Sequence, residues 1–472
     1  MNDMTPGLRD DIRATFDRQR RAFLDSAIPD RQARLASLAK VERLLTQHRD
    51  AMAQAVSADF GNRAVPETML LEVLPSLNAI RHVRRNLGRW MRPERRHVAV
   101  TFQPAKAWVQ YQPLGVVGIV APWNYPVQLA FSPLVDALAA GNRAMIKPSE
   151  LTPRFSDLLA GLIGEAFDPS EVAVVTGGPD VAEAFSRLPF DHLLFTGSTN
   201  VGRKVMLAAA ANLTPVTLEL GGKSPVVVCA DYPVTRAARD IAIGKFVNAG
   251  QTCIAPDYVL APRGQVDALA EAIIAEARRL FPTIGSNADY TSMVTERHRL
   301  RLTDAVEAAR AAGARVLSHD ADTAAAAGKI APTVVIRAPA DSLLLREEIF
   351  GPVLPILPYD TLDQAIAEIN GRDRPLALYC LSRDQSATDT VLSRTISGGV
   401  TLNGTLLHVG QDDLPFGGVG ASGIGSYHGR DGFRRLSHAR AVHKVGFLNP
   451  LDLLSPPYGR LYQTVTKFLI GR

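Results

Sequence analysis

From Gly115 onward the chain alternates short apolar runs with stretches of helical periodicity, and this alternation restricts its fold more than any other feature. The runs VVGIV, RAMIK, VAVVTG and HLLFTG are followed by helical patterns over 127–140, 154–166, 181–188 and 200–211. A second series holds SPVVVCA, a helix near 235–248, DYVLAP, a helix near 265–280, then VVIRA and PVLPILPY. Near-continuous apolar strands separated by helices are the pattern of βαβ units, whose parallel sheet is buried on both faces. The expected class is α/β, with two doubly wound, Rossmann-like halves meeting around TLELGGKSP. Upstream, Leu35, Leu38, Val41, Leu44 and Leu45 recur at helical spacing, so residues 7–92 read as several helices. Near Val98 the pattern changes to VAVTF and WVQYQ around Gln103-Pro104-Ala105-Lys106, which predicts a β-hairpin.

Composition narrows the function classes. The 472 residues, 46% hydrophobic and 21% charged, can bury a sizeable core, equivalent to about three domains of ~150 residues. The net charge of +5 is spread among acidic residues. Its densest basic stretch, Arg81 to Arg96, is interleaved with Leu87, Trp90 and Met91, which reads as a solvated helix face and a turn. Phosphate-backbone binding needs a continuous cationic track, so nucleic acid is not an expected partner. Three cysteines are too few for a disulfide framework and point to reduced thiols and a cytoplasmic protein. The N-terminus lacks the apolar core of a secretory signal. The apolar run Leu114 to Trp123 is interrupted by glycine and proline and falls short of the ~18 residues that cross a bilayer. The tail SPPYGRLYQTVTKFLIGR carries Leu461, Val465, Phe468 and Leu469 near helical spacing, beside Arg460, Lys467 and Arg472. It suits packing on the body of a dimer, or interfacial membrane contact.

Several motifs carry chemistry. In HLLFTGSTNVGRKVMLA a strand turns through Gly197-Ser198-Thr199 into a helix with Gly202 in its first turn. Free backbone N–H groups and the positive helix end there suit a pyrophosphate, or serve only as a cap. Gly418 to Gly423 matches G-x-G-x-x-G but follows DDLP instead of a strand, and Thr217 stands where a P-loop ending in Gly222-Lys223-Ser224 needs glycine, so neither reads as a nucleotide site. Cys229 and Cys380 lie inside apolar runs and read as inert core thiols. Cys253, in NAGQTCIAP, follows a helix in an irregular segment and is a candidate nucleophile if it has partners. Glu219 is the one charge in the strand VTLEL; burial would raise its pKa toward that of a general base, unless backbone N–H groups satisfy it. Asn124 in PWNYP ends a strand at the side where open α/β sheets bind ligands, as an oxyanion donor or as a turn former. Lys147 and Glu150 end the next strand, placed to bond ribose hydroxyls or to pair at the surface.

Taken in order, APWNYP, IKPSE, FTGSTNVG, LELGGKSP, NAGQTC, EEIFGP and LPFGGVGASGIG resemble the aldehyde dehydrogenase superfamily over nearly the whole chain. GQTCIAPDYV and SGIGSYHG are most similar to its class 3 branch, and within it to bacterial enzymes of coniferyl aldehyde. The resemblance implies Cys253 as nucleophile, Glu219 as general base, and Asn124 with the Cys253 N–H as oxyanion hole. It implies NAD or NADP, with Lys147 and Glu150 on the adenosine ribose and Gly197, Ser198 and Gly202 at the pyrophosphate. Trp123, Leu220 and Gly221 would also border the cofactor, and Glu348 and Phe350 would position the nicotinamide half; no metal is implied. The implied reaction oxidises an aldehyde, such as coniferyl aldehyde, to a carboxylic acid through a thiohemiacetal and a thioester; broad or long-chain specificity, or a thiol-dependent esterase or acyltransferase, are the alternatives. A homodimer is implied. Residues 1–96 and 113–221 would form the cofactor domain, 222–433 the catalytic domain, 97–112 and 434–450 a small β bridging arm, and 451–472 a tail.

Overall fold

A computed structural model of the chain describes residues 6–449, 451–452 and 455–471. The helical periodicity upstream of residue 92 becomes the helices Pro6–Leu24, Arg31–Asp59 and Leu74–Trp90. Asp30 starts the second by accepting the Ala33 N–H, one of the donors a helix N-terminus leaves free. Its apolar stripe, Leu38, Val41 and Leu45, is buried in a core shared with Phe131 and Leu134 of helix Pro126–Ala140 and Leu159 of helix Pro153–Ala166.

Sixteen strands are described. The first two, β1 (Glu94–Arg96) and β2 (Lys106–Pro113), precede the series β3 (Val116–Val120), β4 (Arg143–Lys147), β5 (Val172–Val174), β6 (His192–Thr196) and β7 (Val216–Glu219). A second series comprises β8 (Pro225–Val228), β9 (Tyr258–Pro262), β10 (Arg315–Ser318), β11 (Thr333–Ile336), β12 (Val353–Tyr359), β13 (Ala377–Leu381) and β14 (Gly399–Leu402). The last are β15 (Gly423–Ile424) and β16 (Ser437–Lys444).

Two parallel sheets result, each with one antiparallel edge. The first runs β15-β7-β6-β3-β4-β5 and the second β10-β11-β12-β9-β8-β13-β14. The chain passes from one to the other through 220–224. In the first sheet the strand order reverses between β3 and β6, the topological switch point where open α/β sheets bind ligands beyond their carboxyl ends.

The expected hairpin forms with a different partner. Val100–Phe102 is a single 3-10 turn whose N–H groups close locally, Gln103 onto Val100 and Ala105 onto Phe102, and the side chains of Val100 and Phe102 are exposed. Glu94–Arg96 pairs with β2 instead, because Glu94 is held by Arg430 and Arg434 on the helix Gly429–Arg435. Across β2, β16 pairs antiparallel from Ser437↔Pro113 to Lys444↔Lys106. The tail forms the helix Arg460–Ile470, with Leu461, Phe468 and Leu469 exposed; Arg472 lies outside the described residues. Among the described residues no helix is long and apolar enough to cross a membrane.

One buried ion pair fixes the N-terminal helices to the first sheet. Arg63 and Glu72, both fully buried, approach to 2.9 Å. The other oxygen of Glu72 accepts the N–H groups of Val127 (2.7 Å) and Gln128 (3.2 Å), in the first turn of helix Pro126–Ala140, where free donors and the helix dipole favour a carboxylate. Met69–Val73, which carries Glu72, is a single π turn. Removing one member of a buried pair leaves an uncompensated charge, so Arg63→Met is expected to lose about 3–5 kcal/mol of stability. The double variant Arg63→Met/Glu72→Gln should recover part of that loss. Denaturant unfolding checks both, and an unchanged midpoint in the single variant would contradict the assignment.

Candidate active site

The carboxyl ends of three strands converge on a cavity of about 370 Å³. Beyond β3 stand Trp123 and Asn124; beyond β6, Gly197 and Ser198; at the end of β7, Glu219, Leu220 and Gly221. The second half of the chain adds Cys253, Glu348 and Phe350. Three expected residues lie outside this lining. Lys147, buried at the end of β4, donates to the Pro148 carbonyl (2.8 Å) and to the exposed Glu150 (3.2 Å). Gly202 packs one turn into helix Thr199–Ala210, where an added Cβ would stand 2.6 Å from Leu220 Cδ2.

Cys253 reaches the cavity through a strained turn. Helix Val234–Phe246 ends, and Asn248 (φ 51°), Ala249 (φ 49°) and Gly250 (φ 72°) follow in the left-handed region. Such a conformation costs a non-glycine residue about 1–3 kcal/mol and persists only where surrounding contacts over-determine it. Those contacts are present. The Asn248 N–H donates to both Glu67 oxygens at 3.2 Å, and its Nδ2 donates to the Asn124 and Gln251 carbonyls, each at 3.1 Å. Gln251 Nε2 bonds the Asn248 and Ser292 carbonyls, and its Oε1 accepts the Val294 N–H. Arg63 donates to the Asn124 carbonyl at 2.9 Å, and Asn124 Nδ2 donates to the Gln251 carbonyl at 3.2 Å. A hydroxyl bond of 2.7 Å joins Tyr125 to Thr252. The turn bearing Asn124 and the loop bearing Cys253 are one hydrogen-bonded unit.

Several groups on the cavity lining have buried polar atoms without partners. Both Glu219 oxygens are buried without a hydrogen bond, and burial raises its pKa well above the carboxylate range, with Arg435 opposing. Burial, then the charges of Glu348 and Glu219, push the Cys253 thiol up to about 12. Glu348 is held from both sides: Lys223 Nζ donates to the Leu344 and Glu347 carbonyls at 2.9 Å and pairs with Asp257, whose Oδ1 accepts the Ile349 N–H at 2.9 Å. A Cβ on Gly221 would collide with the Glu348 carboxylate, so that position has room only for glycine. Trp123 lies 5.4 Å from both the Phe350 and His298 rings, forming an aromatic wall.

Arg297, His298 and Arg301 also line the cavity and were not legible beforehand. They sit on helix Glu296–Ala311, whose ERHRLR start reads as a solvated face; Thr295 caps it, and Arg301 donates to the Glu348 (2.6 Å) and Ile349 (3.1 Å) carbonyls. Cys229 and Cys380 are buried, away from the cavity lining. Gly423 belongs to β15, paired with Glu219 of β7. A thiol, an unpartnered carboxyl group and an amide donor on one cavity suit attack on a carbonyl carbon.

The Aldehyde dehydrogenase family model matches residues 3–442. A Pseudomonas aeruginosa protein named "Probable coniferyl aldehyde dehydrogenase" is 47% identical, over 98% of this chain and 96% of its own. The dog "Aldehyde dehydrogenase, dimeric NADP-preferring" is 38% identical, over 94% and 96%. The solved substrate-bound structure of Staphylococcus aureus AldH superposes with a TM-score of 0.91 at 37% identity, over 97% of this chain and 99% of that one. With a match of this extent, the chain belongs to the aldehyde dehydrogenase family.

Proposed function

We propose that the chain oxidises an aromatic aldehyde of the coniferyl type to its carboxylic acid, with NAD⁺ or NADP⁺, through a thioester on Cys253. The carrying observation is that Cys253, the unpartnered Glu219 and Asn124 face one cavity. An aldehyde has no leaving group except hydride, so a nucleophile must first make its carbon tetrahedral. In this reading the Cys253 thiol gives up its proton to solvent and the thiolate adds to the carbonyl, while Asn124 Nδ2 with the Cys253 N–H donates to the resulting alkoxide. Removing one such donor typically costs ~10²–10³ in rate. The bound nicotinamide supplies the acceptor for the hydride that the thiohemiacetal carbon gives up. Glu219 then takes a proton from the water that hydrolyses the thioester.

The residues present fit a dinucleotide. Ser198 caps helix Thr199–Ala210 at the switch point, where free N–H groups favour a pyrophosphate. Glu348 Oε1 and Thr196 Oγ1 are buried at the cavity without partners, as acceptors and donors for a ligand's hydroxyls would be. The exposed Glu150 carboxylate opposes a 2′-phosphate, and the Lys147 ammonium beside it offsets that repulsion, so both coenzymes suit the site. The coniferyl assignment is supported by the Pseudomonas aeruginosa relative's name. A homodimer is supported by the dog relative's name and by the open edge of β16.

Four outcomes are expected. Cys253→Ala should abolish aldehyde-dependent NADH formation while binding NAD⁺ unchanged by calorimetry; appreciable NADH would remove Cys253 as nucleophile. In wild type, kcat should rise with pH through a range displaced above that of an ordinary carboxylate, because the raised Glu219 carboxyl must be deprotonated to act as base. Glu219→Gln should lose that limb and keep a burst of NADH, with steady turnover about 10²–10⁴-fold lower and acyl-enzyme visible by intact-protein mass spectrometry. Across coniferyl, benzyl and long-chain aldehydes, kcat/KM should be highest for coniferyl aldehyde; a long-chain aldehyde ranking first overturns the substrate class.

A further inference from the structure

One buried charge beside the site takes part in none of these steps. Lys245, in the last turn of helix Val234–Phe246, is fully buried, and its Nζ has no hydrogen-bond partner among the described residues. Such an ammonium is costly and is retained only where nearby charge repays it. The backbone places it against the site. A Cβ on Gly250 would stand 3.0 Å from the Lys245 carbonyl and would collide with the Gly351 carbonyl, so the helix end, the Cys253 loop and the segment following Glu348 are in contact.

Asp257 and Glu348 attract the Lys245 ammonium and Lys223 repels it. Lys223 and Asp257 are engaged with each other and with backbone atoms of 344–349. Glu348 keeps a buried oxygen with no partner, so it is the free half of this cluster as Lys245 is the other. Around Glu348, Asp257 opposes ionisation, and the Gly222 N–H, Lys223 and Lys245 favour it.

We propose that Lys245 is a positioning residue, whose ammonium favours the carboxylate form of Glu348, the form that accepts hydrogen bonds from the ribose hydroxyls on the nicotinamide side of the coenzyme. This rests on the reading of Glu348 given under Proposed function. A protonated Glu348 would spend one oxygen as a donor; the carboxylate offers acceptors only, which two neighbouring hydroxyls require. Burial raises Glu348 to about 8 and lowers Lys245 to about 8 with their mutual attraction already opposing both shifts, so removing the ammonium should raise the Glu348 carboxyl further.

The test uses the full chain without aldehyde. Calorimetric NAD⁺ affinity in wild type should tighten as pH rises through the titration of Glu348. In Lys245→Met that rise should move to higher pH, and binding at neutral pH should weaken about ten-fold for a shift of one pKa unit. In a Glu348→Gln background, Lys245→Met should change nothing further. A loss equal at every pH, or equal in the Glu348→Gln background, overturns the proposal. In the ligand-free protein, ¹³C NMR should show the Glu348 carboxyl titrating higher in Lys245→Met. It should also show the Lys245 Cε signal titrating lower in Glu348→Gln, which needs no change at Lys245. Unmoved titrations refute the role of Lys245 itself. Moved titrations with a pH-independent NAD⁺ affinity refute the ribose reading of Glu348, and the proposal with it.

Discussion

The buried Arg63–Glu72 pair is the contact on which the site geometry hangs. Glu72 neutralises the first turn of helix Pro126–Ala140, and Arg63 reaches past it to the Asn124 carbonyl. Five residues away, Glu67 accepts the Asn248 N–H and the Thr291 hydroxyl. Three polar residues of the segment 63–72 thus set the turn beyond β3 and the loop that delivers Cys253. They do so without lining the cavity. The left-handed stretch at 248–250 is stable for this reason, because its strain is shared among contacts from both sheets and from the helices.

Two of the polar residues that shape the site are engaged on both sides: Gln251 makes bonds from both ends of its amide, and Asp257 bonds both Lys223 and the Ile349 N–H. Glu219, Glu348 and Thr196 line the cavity with at least one buried polar atom unpaired, where a bound ligand could complete them.

Strand ends were legible in the sequence because a parallel strand buried on both faces is written as an apolar run, and its carboxyl end is where such a run stops at Asn124, Gly197 or Glu219. The same logic misplaced the hairpin: Val100 and Phe102 are apolar yet exposed, and charge pairing of Glu94 decided the strand instead. Arg63, Glu67 and Glu72 were hidden because charged residues in an amphipathic helical region and its connections are read as solvated. Arg297, His298 and Arg301 were hidden for a similar reason, since only long-range packing turns that helix start toward Trp123. Lys147, Glu150 and Gly202 were named from motifs, and they flank the cavity instead of lining it.

The single π turn at Met69–Val73 adds a constraint of another kind. In a regular α-helix, residues five apart point about 140° from one another, since each residue turns the chain by ~100°. The widened turn brings Glu67 and Glu72 to one side, each to its own partner. What is fixed there is a helix width as much as a composition. Tightening that turn to the α repeat with all five steps kept would swing one acid ~140° from the other and away from its partner, with every chemical group of the site still present.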